Sequence, residues 1–325
     1  MSQLIDGSGR RINYLRISVT DKCNFRCLYC MPEEGLQWLP KADLLTYEEI
    51  TDVVRQMVPL GVTRLRITGG EPLIRPNLDR LITQLKAIDG IEDIALSTNG
   101  VHLPKLAAAL AAAGLARVNL SADSLRADRI AKISRRSLGF DPIAAAQSAE
   151  KAWLTPVKIN VVVMRGVNDD EIEDFARLTL DHPWHIRFIE LMPVGEMRDV
   201  TWEHVVASDE ILERIASIEP LSPVSGPNGN GPAKYFAFEG APGSVGVITP
   251  MTHTYCATCN KVRLTADGRL RTCLFGDHEL ELRTPLRAGE PIAGIVEAGL
   301  LEKPAEHHLL QMKVGGLRAL SEVGG

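Results

Sequence analysis

Cys23-Asn24-Phe25-Arg26-Cys27-Leu28-Tyr29-Cys30 packs three thiols into eight residues. A cubane iron–sulfur cluster has four irons and ordinarily takes four cysteines, so three leave one iron open to a small molecule. The spacing differs from the ferredoxin runs, which close all four positions and mainly carry electrons. Tyr29 sets an aromatic ring immediately before the third thiol. Zinc is the competing occupant. It favours paired Cys-x-x-Cys sets or Cys/His mixtures, and no histidine lies in this segment.

The remaining cysteines of the 325-residue chain are Cys256, Cys259 and Cys273. An even count of six is compatible with disulfides in a secreted protein. Met1-Ser2-Gln3-Leu4-Ile5-Asp6, however, carries no basic-then-apolar leader, and two tight triplets suit metal better than cross-links. A reducing cytoplasm is therefore the expected setting. With His253 or His278 as a fourth ligand, the second triplet is a structural zinc site. Without one, it is a second three-cysteine cluster with an open iron. Spacing alone leaves both open.

Working outward, short apolar runs alternate with helical patterns over the first two-thirds of the chain. The spacing predicts strands at 14–20, 64–68, 93–98, 117–122, 157–163 and 185–191. Helices are expected over 46–57, 78–87, 104–113, 142–152 and 170–180. Six such units make an α/β fold, an incomplete six-unit barrel with helices outside, because a closed barrel takes eight. Residues 222–232 are rich in Gly, Pro, Ser and Asn and read as a loop. Strand-like runs follow at 233–238, 244–248 and 262–274, the last with a hairpin signal at Ala266-Asp267-Gly268. The expected division is 1–220 for the barrel and 221–325 for a small C-terminal domain with the second triplet. The longest apolar stretch, 106–116, is too short to cross a bilayer, so no membrane partner is expected. A net charge of −5 gives no footprint for nucleic acid.

Side chains alternate across a strand. Leu15 and Ile17 take one face of the first strand and Arg16 the other. Leu65 and Ile67 oppose Arg64 and Arg66 in the second. The apolar face must pack outward on the helices, which aims Arg16, Arg64, Arg66, Lys158 and Arg187 inward. Burying several like charges is costly unless an anion neutralises them, so the lumen is expected to take a polyanion such as a nucleoside triphosphate. For any one of these residues the plainer reading is a rim position in a surface salt bridge. The second strand ends in Gly69-Gly70-Glu71-Pro72, where ligands of parallel sheets bind and where glycine lets backbone come close.

Together the triplet, Tyr29 and the Gly-Gly segment resemble those of the radical S-adenosylmethionine (SAM) enzymes. Further stretches extend the likeness over nearly the whole chain. They are Leu15-Arg16-Ile17-Ser18-Val19-Thr20-Asp21-Lys22, Ser97-Thr98-Asn99-Gly100, Ile186-Arg187-Phe188-Ile189-Glu190, Cys256-Ala257-Thr258-Cys259-Asn260, Arg263-Leu264-Thr265-Ala266-Asp267-Gly268 and the terminal Gly324-Gly325. In these the chain is similar to the GTP 3′,8-cyclase family, lyases of the first step of molybdenum cofactor biosynthesis. The resemblance implies a radical SAM partial barrel with a C-terminal iron–sulfur domain and two [4Fe-4S] clusters. Cys23, Cys27 and Cys30 would hold one cluster; Cys256, Cys259 and Cys273 the other. Tyr29, Gly70, Ser121 and Met192 would contact SAM. Arg16, Arg64, Arg66, Ser97, Lys158, Arg187, Lys261, Val262 and Arg263 would contact GTP. Arg263, Gly324 and Gly325 would act in catalysis. SAM would be cleaved to a deoxyadenosyl radical that takes the C3′ hydrogen of GTP. The product would be (8S)-3′,8-cyclo-7,8-dihydroguanosine 5′-triphosphate. A reductant protein, a downstream cyclic pyranopterin monophosphate synthase and a homodimer are also implied. Lys261 stands where many relatives have arginine; lysine keeps the charge but not the bidentate fork. The rival readings are a radical SAM peptide-modifying enzyme, an iron–sulfur electron carrier and a zinc scaffold.

Overall fold

A computed structural model describes residues 3–194, 201–227, 231–307 and 318–324. Its strands are β1 (Tyr14–Ser18), β2 (Arg64–Thr68), β3 (Asp93–Thr98), β4 (Arg117–Ser121), β5 (Lys158–Val163), β6 (His185–Glu190), β7 (Ser222–Val224), β8 (Lys234–Ala237), β9 (Ser244–Ile248), β10 (Lys261–Leu264), β11 (Arg269–Arg271) and β12 (Glu279–Glu281). The helices are α1 (Tyr47–Met57), α2 (Leu78–Lys86), α3 (Leu103–Ala112), α4 (Ala127–Ser134), α5 (Pro142–Lys151), α6 (Ile172–Asp181), α7 (Ser208–Ala216), α8 (Arg283–Arg287) and α9 (Ala293–Leu301).

Local chemistry explains the elements. Thr46 opens α1 with a reciprocal cap: its hydroxyl accepts from the Glu49 N–H at 3.1 Å, and the Glu49 carboxylate accepts from the Thr46 N–H at 2.7 Å. Tyr47, Ile50, Val53, Val54 and Met57 then form the buried stripe of that helix. Asp141 caps α5 by accepting from the Ile143 and Ala144 N–H groups. Leu15, Ile17, Leu65, Ile67, Leu96, Val118, Leu120, Ile159, Ile186 and Phe188 are buried in the layer between strands and helices.

The sheet order is β12-β11-β10-β1-β2-β3-β4-β5-β6-β9-β8-β7. The order has two ends, so the sheet is open. β1 to β6 run parallel, as the alternation predicts. The C-terminal segment adds to both sides: β10 pairs parallel with β1, and β9 pairs parallel with β6. The first and last thirds of the chain are thus joined edge to edge in one sheet. Pairing β10 with β1 brings Arg263 level with Arg16, and β2 brings Arg66 level with Arg16 on the other side.

Three local expectations are corrected. Residues 222–224 form β7, antiparallel to β8, inside the stretch read as loop. It is an edge strand, the one sheet position where Pro223 costs little. The run 262–274 is two strands, β10 and β11, with Gly268 at φ +81° in the turn between them. The expected helices also leave out α4, α7, α8 and α9. Of these, α4 is only eight residues long and ends where Arg135 adopts φ +52°.

Candidate active site

The lumen holds a cavity of about 350 Å³ that runs along the inner face of the parallel strands, and all six cysteines line it. The first triplet lies in the loop after β1. The Cys30 N–H donates to the Cys27 carbonyl at 2.9 Å, and the Phe25 N–H points at the Cys23 sulfur at 3.4 Å. The Gly69-Gly70-Glu71 turn is laced to the segment that leads from β1 into this loop. Gly70 N–H donates to Thr20 O at 2.7 Å and Glu71 N–H to Lys22 O at 2.8 Å. A Cβ on Gly70 would lie 2.2 Å from the Lys22 carbonyl oxygen. Packing alone therefore requires glycine there, and Gly70 also lines the cavity.

Tyr29 is held from behind. Its hydroxyl donates to Asp123 at 2.7 Å, and the other oxygen of Asp123 accepts from the Val162 N–H at 2.9 Å. Ser121 and Met192 line the cavity as well. Glu71 is fully buried and accepts from Leu73 N–H, Thr98 Oγ1 and Asn99 N–H. Burial lifts its carboxyl to about 7 against those donors. The Asp123 carboxyl rises to about 6, again from burial.

Cations fill the middle of the cavity. Arg66 donates from Nε to the Tyr14 hydroxyl at 2.6 Å and from Nη1 to Ser97 Oγ at 3.3 Å. With its amide oxygen turned to the guanidiniums, Asn119 accepts from Arg187 at 2.9 Å and from Arg66. Burial, then Arg263 and Arg66, hold Arg16 well below the ordinary guanidinium range. Burial brings Arg187 and Arg263 each to about 10. Lys261, over the Tyr14 ring, falls to about 8 through burial and the guanidiniums of Arg16, Arg66 and Arg263. Lys158 is buried outside the cavity lining. Burial and then Arg187, Arg117 and Arg66 lower its ammonium to about 6.

Besides Lys158, two residues expected to contact GTP have side chains off the lining. Arg64 faces Glu92 at 3.6 Å at the amino ends of the strands, a partly exposed rim pair. Val262 has its side chain fully buried in the layer behind the sheet, so only its backbone faces the site. Tyr14 and Asn119 were not singled out. They share strand faces with Arg16 and Ser121, and that alternation was the available signal.

The second triplet lies opposite. Cys256 opens a 3₁₀ turn, Cys259 closes it, and Cys273 follows β11. His253 faces Asp209 at 3.6 Å and His278 faces Glu302 at 3.3 Å, and neither lines the cavity. His307 does line it and was missed. Among the described residues, no three His, Cys, Asp or Glu side chains converge where one ion could sit. Three thiols facing the cavity in each set are the donors a cubane with one open iron takes. All six thiols are free of disulfides. Burial drives Cys23 to about 12 and Cys30 to about 11, so thiolates there need a cationic metal centre beside them. The residues therefore fit a cluster at each end.

The end of the chain reaches this space. The Gly324 carbonyl accepts from Arg16 Nη2 at 2.9 Å and from Arg263 Nη1 at 2.8 Å. Gly324 sits at φ +72°, and a Cβ on it would meet Thr68 Cγ2 at 2.7 Å. Arg318 anchors the segment through Asp267 at 2.8 Å and Glu279 at 3.1 Å. Gly325 lies outside the described residues.

Comparison with known proteins agrees with this geometry. Residues 17–179 match the Radical SAM superfamily, and residues 184–309 match Molybdenum Cofactor Synthesis C. A protein of Pelotomaculum thermopropionicum named GTP 3′,8-cyclase is 47% identical over 320 residues, covering 97% of this chain and 98% of that one. One of the same name from Moorella thermoacetica is 49% identical over 321 residues, with 97% and 98% covered. The crystal structure of Streptococcus suis SuiB bound to S-adenosylmethionine shares the fold, with a TM-score of 0.59 at 14% identity. The match covers 92% of this chain and 73% of that one.

Proposed function

Because the chain belongs to the GTP 3′,8-cyclase family of radical SAM enzymes, we propose that its lumen holds SAM and GTP end to end between the two cysteine triplets. The activity is the radical cyclisation of GTP in molybdenum cofactor biosynthesis. The observation that carries the placement is a single cavity with three thiols at each end and a belt of arginines between.

Reduced cluster and bound SAM supply a carbon radical able to take hydrogen from an unactivated C–H bond. The chain's own task is to place that bond and exclude water. Tyr29, braced by Asp123, forms one wall of the SAM end, with Gly70, Ser121 and Met192 around it. Arg16, Arg66, Arg187, Lys261 and Arg263 meet the triphosphate, with Ser97 beside Arg66 and Lys158 behind. The backbone of Val262 joins them; Arg64, paired with Glu92, acts only at long range. An anion among these groups removes the mutual repulsion that lowers their proton affinities. Gly324 completes the wall through Arg16 and Arg263. With its base and phosphates held, GTP would be fixed with its ribose toward the SAM end.

The reading extends to a division of labour near residue 220, with the radical made in 1–220 and the base held by 221–325. It also includes a cytoplasmic homodimer, a reductant protein and transfer of product to a cyclic pyranopterin monophosphate synthase. Among the described residues no helix is long and apolar enough to cross a membrane. Anaerobic incubation with SAM, GTP and a chemical reductant tests the core of it. Deoxyadenosine and the cyclised nucleotide should form together. Deoxyadenosine without loss of GTP would overturn it and favour a peptide substrate.

A further inference from the structure

Beyond the second triplet, one buried cation has no role in the chemistry just described. Lys303 follows α9 and is 5% exposed. Its ammonium donates to the Lys261 carbonyl at 3.0 Å and to the Thr272 carbonyl. Lys261 stands two residues after Cys259, and Thr272 immediately precedes Cys273. One side chain therefore ties the two chain segments that carry these ligands. An ammonium has three donors, and Lys303 itself lines the cavity beside the thiols. Among the described residues two donors go to carbonyls, and the ammonium also faces the cavity.

The neighbouring residues complete the fastening. Arg10 donates to the carbonyls of Cys256 at 2.8 Å, Ala305 at 2.8 Å and Pro304 at 2.7 Å. The segment that presents Lys303 is thus tied to the remaining cysteine. The charge of Arg10 is matched by Asp6 at 2.6 Å. The two named acceptors of Lys303 are neutral carbonyls, so they do not cancel its charge, and among the cations that act on Cys259 it acts most strongly. The N-terminal strap packs closely enough that a Cβ on Gly7 would lie 2.4 Å from the Leu301 carbonyl oxygen.

We infer that Lys303 is a positioning residue that clasps the second cysteine set and serves as its internal counter-charge. Three thiolates on a cubane leave a net negative unit, and nearby charge and hydrogen bonding set the potential of such a centre. A fixed ammonium at this place makes the centre easier to assemble and easier to reduce. The inference rests on the reading that the second triplet holds a cluster.

The test compares the full-length chain with Lys303→Met and Lys303→Arg after anaerobic reconstitution. Iron and sulfide per chain are measured, with the potentials of the centres by EPR-monitored titration. Wild type holding one cluster overturns the underlying reading. With two in wild type, Lys303→Met should lose about half the iron, or keep it with the second centre shifted to lower potential. Lys303→Arg should restore the content or the potential, and the first centre should not move. Lys303→Met with full iron and an unshifted second centre overturns the inference. So does iron lost equally from both centres and not recovered by arginine, which would mark a merely structural lysine.

Discussion

The two cysteine sets use the same three-thiol chemistry in opposite electrostatic surroundings. Around the first, burial and the carboxylates of Glu71 and Asp123 raise the thiols, Cys23 to about 12 and Cys27 well above its ordinary value. Around the second, burial also raises Cys256. Cys259, although buried, is held below the ordinary thiol range by Lys303, Lys261 and Arg10. An anionic surround favours a cationic occupant, and a cationic surround an anionic one. The sulfonium of SAM is a cation and GTP is a polyanion. The fold thus sorts the two ligands to opposite ends of one cavity by charge before any specific contact is made.

The largest effect should come from breaking one end at a time. Cys27→Ser is expected to abolish deoxyadenosine formation and cyclisation together. Cys273→Ser should leave some deoxyadenosine formation and abolish cyclisation. Both products are quantified by chromatography after anaerobic turnover. Equal loss of deoxyadenosine in the two variants would erase the division between a radical-making end and a substrate-holding end.

Much of this division was legible in the residues themselves. The first triplet and the Gly-Gly turn are local, so spacing alone locates them. Alternation correctly aimed Arg16, Arg66 and Arg187 inward, because facing follows from a period of two. Height along the barrel does not follow from it, and so Arg64 lies at the rim with Glu92 and Lys158 behind the lining. The edge strands were harder. Nothing local to Lys261–Leu264 says that it will pair with Tyr14–Ser18, some 250 residues earlier in the chain. That pairing sets Arg263 beside Arg16. Asp123 and Lys303 were illegible for the same reason, since each acts through a partner that only the fold brings near.

The chain end sharpens the comparison, because it touches the cationic belt between the two sites. Gly324 has a left-handed backbone and no room for a Cβ next to Thr68. A non-glycine residue in that conformation costs about 1–3 kcal/mol, and each 1.4 kcal/mol is about tenfold in rate or occupancy. Gly324→Ala should therefore lower cyclisation by about tenfold or more. Deoxyadenosine formation should fall less, since the carbonyl that is displaced serves Arg16 and Arg263 and not the first triplet. Initial rates of both products, measured side by side, decide it. Unchanged cyclisation would remove the chain end from the site.

The smallest expected effect is a proton. In the empty protein, burial and then Arg187, Arg117 and Arg66 bring Lys158 to about 6, so it is mostly neutral at pH 7. Its unfolded value is about 10.4. A bound triphosphate favours the charged ammonium and lifts the value again. Binding of GTP near neutral pH should then take up a fraction of a proton, to which Lys261, at about 8, adds less because it is already mostly charged. By linkage, affinity should weaken as pH rises above about 6, where the free protein has given up the proton that the complex retains. Calorimetry in two buffers of different ionisation enthalpy reads the uptake directly. Lys158→Arg should keep the affinity and lose most of the buffer dependence, because guanidinium stays charged throughout. Identical heats for the wild-type chain in both buffers would mean that the cationic end is already charged when empty. The contrast with the carboxylate-flanked end would then not depend on the arrival of substrate.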